Sequence, residues 1–496
     1  MRNQLSRAKK ARDILIWAII GACLAAMMDS RSPDRTCAVV SGLMFVAALV
    51  YTRYVLQIRF LEVPSLWLLV LGVFHLGLVV PWALGLYDAG NDWWIRHEDI
   101  PSALLLINLA MVSYQIGIIA SVNKSPPERG TAGEKPEEGY LANRILFMAG
   151  LFLTVAGAVM YIYGFSETFG RDFSSVAYTD MYQTVVEVDS RWYGVGLMLF
   201  PIGVYTAIAG AARRQVLGLF LCIALWAGWQ LFLGFRGKAL LVLIVAAYMA
   251  VRKGFSLPRR GLVAGLIVIL YLIPLISFTR EEAVESRFTT ERWSEANPFT
   301  GLAEMGQAIW PVAETYRLIG PSQLRLGRTY LAALYRVAPN IGAGYAPGKR
   351  FREIALEDSP AYWFVLVTSP YLFRLNLGRG FSVVAEAYMN FGIWGVVIIF
   401  FGLGYALVRF EARSTRDPFW LAVVAIVLDP LLWLVRNDFT VFTRSVVWGC
   451  GYVFLAWLLG SGVLGSPKLR IGLRREKALA GKSLPGSKRA LDPVRQ

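Results

Sequence analysis

Residues 217–251 read LGLFLCIALWAGWQLFLGFRGKALLVLIVAAYMAV, two apolar runs that are separated only by Arg236, Gly237 and Lys238. The first run has the length of about 20 residues that carries a helix across the ~30 Å hydrocarbon core of a membrane. The second run is shorter, and Gly237 allows a sharp turn between the two. The stretch therefore predicts a pair of membrane helices with cations at their shared end.

The rest of the chain continues this pattern. Of its 496 residues, 56% are hydrophobic and 13% are aromatic, and the mean hydropathy is +0.50. Repeated apolar runs of about 20 residues predict an all-α integral membrane protein with about 12 transmembrane helices. The expected spans are 13–28, 36–53, 64–86, 101–122, 144–164, 192–212, 216–235, 238–251, 261–279, 382–408, 418–436 and 440–463.

The spans divide the chain into four parts. We expect residues 1–279 to hold spans 1–9, 280–380 to form a large extracytoplasmic loop, 381–464 to hold spans 10–12, and 465–496 to form a basic cytoplasmic tail. A structureless loop of that size would be unusual, so the loop is expected to contain short helices. The Pro-, Gly- and Glu-rich stretch 123–143 is expected to be a flexible cytoplasmic linker.

The basic residues predict the orientation of the chain. The net charge is +16, and it concentrates between alternate apolar runs and in the tail. The positive-inside rule then puts both termini in the cytoplasm, with the tail near anionic lipids. The first span follows a basic stretch without a convincing cleavage site, so we expect it to be retained. Nucleic acid is not an expected partner, because there is no basic folded module.

Metal and disulfide chemistry have no support in the sequence. The cysteines and histidines do not show metal-ligand spacing, so neither a metal site nor a cofactor is expected. They are Cys23, Cys37, Cys222, Cys450, His75 and His97.

Three polar elements interrupt the apolar runs, and the first is the Arg236 corner. Alternation from the basic N-terminus puts Arg236 and Lys238 on the outer side, where positive charge is normally scarce. A cation kept there is costly unless it binds an anion, so the corner predicts a site for a negatively charged ligand. The alternative is that both side chains only end a helix and reach the lipid head groups.

The second element is GRGFSVVAEAYMNFGIWGVVIIFFGLG, residues 378–404. Arg379 stands between two glycines, and Ser382, Glu386 and Asn390 recur every four residues, which puts them on one face of a helix. Glu386 could accept a proton from a sugar hydroxyl or orient an arginine. The alternative is that Ser382 is an N-cap and Glu386 only favours the helix N-terminus.

The third element is AIVLDPLLWLVRNDFTVFTRSVVWG, residues 425–449. Asp429 lies within the span, Arg436 and Asp438 flank an outer turn, and Arg444 begins the next span. Such charges at membrane depth indicate function by default. The alternative is an internal Arg–Asp pair that only locks helices together.

An arginine cluster of this kind suits a lipid diphosphate. Guanidinium groups bind phosphate oxygens bidentately and keep their charge at every relevant pH. If the diphosphate is a leaving group, the same arginines stabilise the charge that grows on it. The aromatic residues of the outer loop suit sugar rings, and closure of that loop over two long substrates would orient them.

These residues resemble a known signature. The run Ala385, Glu386, Tyr388, Asn390, Phe391, Gly392 and Gly395 after a Gly-rich turn is similar to that of the bacterial O-antigen polysaccharide polymerase (Wzy) family. GFRGKAL resembles the Arg-Gly corner of that family, and VRNDF resembles its late Arg-x-Asp segment. The resemblance covers the second half of the chain.

The resemblance implies a GT-C-like, metal-independent membrane glycosyltransferase without a cofactor. It would polymerise undecaprenyl-diphosphate-linked repeat units of O-antigen or exopolysaccharide at the periplasmic face and release undecaprenyl diphosphate. Its expected partners are those glycans, membrane lipids and, as a candidate, a chain-length regulator protein. The expected catalytic residues are Glu386, Arg236 and Arg436; the diphosphate-binding residues Arg236, Lys238, Arg379, Arg436 and Arg444; and the glycan-binding residues Ser382, Asn390 and Tyr388.

Other functions stay open at this point. A ligase that transfers glycan to a lipid A core shares the arginine chemistry, but loop 280–380 lacks the histidine expected of that family. A lipid-linked glycan flippase should show repeats and charges along a transport path. A transferase that uses monosaccharide lipid phosphates would place acids in the first outer loop, where Asp29 and Asp34 lie. A purely structural scaffold is the remaining alternative.

Overall fold

The computed structural model of the protein consists of helices and their connections throughout the part of the chain that it describes. That part comprises residues 7–29, 34–88, 95–122, 136–170, 191–279, 297–337, 359–374, 378–415 and 417–464. The expected cytoplasmic tail, residues 465–496, and most of the expected linker, residues 123–135, lie outside it.

The first ten helices carry the predicted spans 1–9. They are α1 (Arg7–Asp29), α2 (Asp34–Val50), α3 (Val63–Leu76), α4 (Val79–Ala83), α5 (Ile100–Ser121), α6 (Pro136–Phe169), α7 (Arg191–Gly210), α8 (Arg213–Phe232), α9 (Arg236–Arg252) and α10 (Arg259–Thr279). The predicted third span is broken between α3 and α4. Because α6 begins at Pro136, the end of the stretch expected to be a flexible linker is helical instead.

The remaining helices comprise the described part of loop 280–380 and the last three predicted spans. The loop contains α11 (Pro298–Met305), α12 (Ile309–Leu318), α13 (Arg328–Tyr335), α14 (Pro360–Thr368) and α15 (Pro370–Arg374), and the spans are α16 (Val383–Ser414), α17 (Pro418–Leu434) and α18 (Phe439–Leu464).

Eight helices in the described residues are long and apolar enough to cross a membrane. They are Ala8–Met28, Asp34–Val55, His97–Ser121, Asn143–Phe169, Trp192–Gly210, Arg213–Phe232, Val383–Ser414 and Phe439–Leu458. Shorter apolar helices run over Val63–Leu76, Ile267–Ile276 and Pro418–Leu434. The chain is therefore an all-helical, multi-pass membrane protein, as the sequence predicts.

Glycines allow α6 and α7 to pack closely along their length. Gly150, Gly157 and Gly164 recur every seven residues on α6, and the backbone of α7 lies where their side chains would be. Glycines on α7 do the same toward α6 at Gly196, Gly203 and Gly210. Small residues with this spacing let two membrane helices pack along their backbones, where van der Waals contact holds them together.

The centre of the molecule is the pair α5 and α16. Gly117 of α5 faces the backbone at Phe401, and Gly404 of α16 faces the backbone at Tyr114, so this pair is also close-packed. The helix α16 is interrupted at Phe391 and Gly392, where Gly392 has a φ of 63°. The interruption divides α16 into a short buried N-terminal part, which carries Glu386, and a long membrane-spanning part.

Helices α11 and α12 belong to the loop but lie against the transmembrane helices. Gly306, which joins them, packs against Gly77 and Leu78 at the break between α3 and α4. Ile309 and Val312 of α12 are fully buried. This part of the loop is therefore fixed to the core, and it forms one wall of the region that contains the predicted site.

Candidate functional site

The Arg236 corner forms the start of the site. Helix α8 ends at Phe232, Gly234 turns the chain with a φ of 92°, and α9 begins at Arg236. The Arg236 side chain is 18% exposed, donates from Nη1 to the carbonyl oxygen of Ile273 at 2.9 Å, and forms an ion pair with Glu304 of α11. Arg236, one of the residues predicted to bind the diphosphate, thus contacts a helix of the loop.

Gly237 joins this corner to the end of α17. A Cβ atom at Gly237 would overlap the indole ring of Trp433, so only glycine allows this approach. The carbonyl oxygen of Trp433 in turn accepts a hydrogen bond from the backbone N–H of Arg436 at 3.2 Å. The Arg236 and Arg436 segments, which are distant in sequence, therefore meet.

Gly380 joins the end of α17 to the start of α16. It has a φ of 75°, and a Cβ atom there would lie 2.9 Å from the carbonyl oxygen of Arg436. The same oxygen accepts the backbone N–H of Phe381 at 2.9 Å. The Gly-rich turn before α16 is thus packed directly onto Arg436.

Arg379 in that turn completes a ring of contacts, here called the circuit. It runs through Gly237, Trp433, Gly380, Trp310 and Glu304. The guanidinium carbon of Arg379 lies 4.9 Å from the ring centroid of Trp310 on α12, a cation–π arrangement. Partial burial lowers the pKa of Arg379 from its ordinary value, but a guanidinium stays protonated at physiological pH. Since α12 follows α11, which carries Glu304, both Arg236 and Arg379 contact the same helical segment of the loop.

Glu386 lies in the first turn of α16, after the turn that carries Arg379, and is fully buried. Its Oε1 accepts from the hydroxyl of Thr329 at 2.7 Å, and its Oε2 accepts from the backbone N–H of Phe439 at 2.7 Å. Both carboxylate oxygens are therefore engaged with protein, and the contacts link α16 to α13 of the loop and to the start of α18.

Asp438 forms a similar junction. Its Oδ2 accepts from the hydroxyl of Ser359 at 2.7 Å and from the backbone N–H of Ala361 at 3.3 Å, and its Oδ1 accepts from Thr440. The hydroxyl of Thr440 is also bound by Arg336 at 3.0 Å. Asp438 thus fixes the start of α14 to the turn before α18.

Asp429 has a different partner from the one that the sequence suggested. It accepts a hydrogen bond from the hydroxyl of Tyr205 at 3.0 Å and attracts the charge of Lys238. The considered alternative, an Arg–Asp pair that only locks helices, thus does not describe this aspartate. Lys238 approaches α17 next to the Arg236 corner, whereas Arg444 is exposed on α18.

The polar residues on either side of Glu386 also point into the protein. The hydroxyl oxygen of Ser382 accepts from the backbone N–H of Val384 at 3.1 Å, which makes it the N-cap, and it lies 2.7 Å from Nε2 of His75. Asn390 donates to Thr329 at 2.7 Å and accepts from the backbone N–H of Gly327 at 3.0 Å. We therefore assign these two side chains to holding the turn and α13 in place.

The remaining predicted residues, Tyr388 and Asp34, have partners in other parts of the protein. Tyr388 packs against Tyr316 with ring centroids 5.3 Å apart and donates to the carbonyl oxygen of Ile319 at 3.4 Å. Asp34, one of the acids considered for a monosaccharide lipid phosphate transferase, lies 3.4 Å from His97.

Sequence reasoning missed Glu304, Thr329 and His75. Glu304 and Thr329 have no motif around them, and a single histidine in an apolar run has no spacing signal. The one available signal was that an outer arginine needs a counter-charge, which did not say where that charge lies in the sequence. Among the described residues, no cluster of three or more His, Cys, Asp or Glu side chains could hold a metal ion.

The chain is similar to known proteins over most of its length. The model of the family O-antigen polysaccharide polymerase Wzy matches residues 14–461. A relative from Staphylococcus aureus, Protein CapE, is 22% identical over 412 residues, which cover 81% of this chain and 85% of the relative. No solved structure matches the chain.

Proposed function

Since the chain belongs to the O-antigen polysaccharide polymerase Wzy family, we propose that it moves a growing glycan from undecaprenyl diphosphate onto the next lipid-linked repeat unit. The family is one of membrane proteins that act on lipid-linked oligosaccharide repeat units, so the coarse activity, polysaccharide polymerisation, follows from membership. The lipid carrier, the side of the membrane and the residues are our proposal.

The proposed reaction is a single glycosyl transfer. A hydroxyl oxygen of the incoming repeat unit attacks the anomeric carbon of the growing chain, and a new glycosidic C–O bond forms. The bond between that carbon and the diphosphate oxygen breaks, and undecaprenyl diphosphate leaves with the electron pair. Negative charge therefore grows on the diphosphate, which is where cationic groups lower the barrier.

We propose that Arg236, Arg379 and Arg436 hold this diphosphate. The single observation that supports the assignment is the circuit of contacts through Gly237, Trp433, Gly380, Trp310 and Glu304, which brings their segments around one region. Guanidinium groups in a fixed geometry supply the charge that a metal ion would otherwise provide, so we propose a metal-independent transfer. Lys238 and Arg444 are supporting cations in this proposal.

The loop helices are proposed to hold glycan. Aromatic faces stack on sugar rings, and Tyr330 and Tyr335 of α13, next to the buried Glu386 junction, are suitable for this role. Tyr388, which packs against Tyr316 at the end of α12, is a further proposed glycan contact. Ser382 and Asn390, which the sequence suggested as glycan ligands, are proposed to act indirectly by fixing the turn and α13.

We place the reaction at the periplasmic face of a bacterial plasma membrane, with both termini in the cytoplasm. Support comes from the basic residues, which follow the positive-inside rule when Arg236 is outside. A chain-length regulator protein is a proposed partner. The ligase and flippase alternatives gain nothing from the family match.

The test is an assay with purified protein and synthetic undecaprenyl-diphosphate-linked repeat units, read as a ladder of products on a gel. Loss of one charged hydrogen bond to phosphate should cost about 1.5–3 kcal/mol. This weakens donor binding by roughly 10- to 150-fold for Arg236→Ala or Arg436→Ala.

The matched control is Arg409→Ala. Arg409 is exposed on α16 and donates to the hydroxyl of Tyr405 at 3.2 Å, well away from the circuit. This variant should give wild-type ladders. Normal long chains in the Arg236 and Arg436 variants would refute the assignment of the site.

A further inference from the structure

The ion pair between Arg236 and Glu304 puts a carboxylate in the proposed diphosphate site. Glu304 is 16% exposed, lies on α11 of the loop, and occupies the guanidinium nitrogen Nη1. A diphosphate that binds through the Nη1 edge of this guanidinium competes with Glu304 for the same N–H donors. Donor binding at that edge displaces Glu304 from Arg236.

We propose that Glu304 is the general base of the transfer, released from Arg236 when the donor diphosphate takes its place. This inference rests on the proposed function, since it assumes that Arg236 binds the diphosphate. It assigns the proton of the acceptor hydroxyl to a residue outside every motif in the sequence.

The other acids near the site are unsuited to this role. Glu386 and Asp438 are buried, and each of their oxygens accepts hydrogen bonds from protein groups. Asp429 is held by Tyr205. A base must reach the acceptor hydroxyl, and burial of Glu386 and Asp438 keeps both carboxylates away from a substrate. Glu304 pairs directly with Arg236, and in this proposal the diphosphate takes its place on that arginine.

Helix packing keeps Glu304 close to the reacting atoms after it is released. It lies between Gly301 and Gly306 on α11 and the turn that follows. A Cβ atom at Gly301 would lie 2.7 Å from the carbonyl oxygen of Leu270, and Gly306 packs against the backbone of Leu78. Helix α11 is thus wedged between α10 and the break after α3, so only the Glu304 side chain needs to move.

The proton then follows a defined path. The acceptor hydroxyl oxygen forms the new bond to the anomeric carbon and gives its proton to the Glu304 carboxylate. The diphosphate leaves with the electron pair of the old C–O bond, and its charge is taken up by the arginines. When undecaprenyl diphosphate departs, Glu304 loses its proton to water and pairs with Arg236 again.

The experiment compares Glu304→Gln with Glu314→Gln in the full-length protein in nanodiscs. Glu314 is a matched control, because it lies on the adjacent helix α12 and pairs with Arg317, which is not one of the proposed diphosphate arginines. Two quantities are measured for each variant. They are the affinity for undecaprenyl diphosphate, and the KM and kcat with synthetic lipid-linked repeat units.

Loss of a general base lowers kcat by roughly 10²- to 10⁴-fold, so Glu304→Gln should show that loss. Its affinity for undecaprenyl diphosphate should be unchanged or higher, because no carboxylate competes for Arg236. Glu314→Gln should match the wild type in both measurements. Melting temperatures of the purified variants check that each is folded.

Two results would overturn the inference. A wild-type kcat in Glu304→Gln means that the residue takes no proton. Weaker binding of undecaprenyl diphosphate by this variant means that Glu304 positions Arg236 instead of yielding to the ligand. Failure of the proposed function looks different: Arg236→Ala would then bind undecaprenyl diphosphate as tightly as the wild type, whatever Glu304→Gln does.

Discussion

Replacement of Gly380 by alanine tests how the Gly-rich turn holds the site together. Gly380 has a φ of 75°, a conformation that costs an L-residue about 1–2 kcal/mol. The new Cβ atom would also lie 2.9 Å from the carbonyl oxygen of Arg436, whereas ordinary contact begins at 3.4 Å. The turn or the Arg436 backbone must therefore retreat by about 0.5 Å, the limit within which a catalytic geometry is held.

This retreat stretches the hydrogen bond from the backbone N–H of Phe381 to the same oxygen, now 2.9 Å long. Such a bond is worth about 0.5–1.5 kcal/mol. With the conformational cost, Gly380→Ala should lower the free energy of unfolding by about 1.5–3.5 kcal/mol. The activity should fall roughly tenfold or more, because a misplacement of about 1 Å can cost 10²-fold.

Gly254→Ala separates the two effects. Gly254 has a φ of 80° at the end of α9, and a Cβ atom there meets nothing within 4 Å. The Gly254→Ala variant therefore has only the conformational cost of about 1–2 kcal/mol, without a steric clash. Melting temperature in detergent and the rate of polymerisation are measured for both variants. Wild-type rates in Gly380→Ala, or an equal loss in Gly254→Ala, would contradict the proposed role of the turn.

Two further substitutions test the side chains around the site. Glu386→Gln keeps an oxygen that accepts from the Phe439 N–H, and its amide N–H2 can donate to the Thr329 hydroxyl oxygen, which donates to Glu386 in the wild type. The kcat should therefore change far less than the roughly 10²- to 10⁴-fold loss expected of a missing base. A loss of that size in the kinetic assay would restore Glu386 as the base. Trp310→Leu removes the aromatic face on which Arg379 lies. The loss of about 0.5–2 kcal/mol of cation–π interaction should weaken binding of undecaprenyl diphosphate by roughly 2- to 30-fold. Trp310→Phe should keep most of the affinity.

The sequence predicts the helices of this protein well, because membrane helices depend on a local property. An apolar run of about 20 residues must hydrogen-bond its own backbone in lipid, so the run specifies the helix. The Arg236 corner and the turn at Gly380 are predictable for the same reason, since glycine beside a charged residue interrupts such a run. The breaks at Gly77 and Gly392 lie inside apolar runs, and hydropathy carries no signal for them.

The partners of the polar residues were not predictable. Glu304 is 68 residues from Arg236, and Tyr205 is 224 residues from Asp429. The four-residue spacing of Ser382, Glu386 and Asn390 correctly puts them on one helical face. Periodicity alone does not say whether that face looks toward a substrate or toward other helices, because both need polar groups at the same spacing.

The supports of the site hold together the segments that carry the three proposed diphosphate arginines. Like charges repel, so a cluster of cations spreads unless its backbone is held by other forces. Here the holding contacts are uncharged or internally satisfied: the packing of Gly237 on Trp433, the bond from Phe381 to Arg436, and the junction at Glu386. An anion that binds relieves this repulsion, and the relief adds to its affinity. The site is already ordered, so binding does not have to order it first. Glu304 supplies part of that relief through its ion pair with Arg236, and in the proposed mechanism its exchange for diphosphate connects substrate binding to the release of a base.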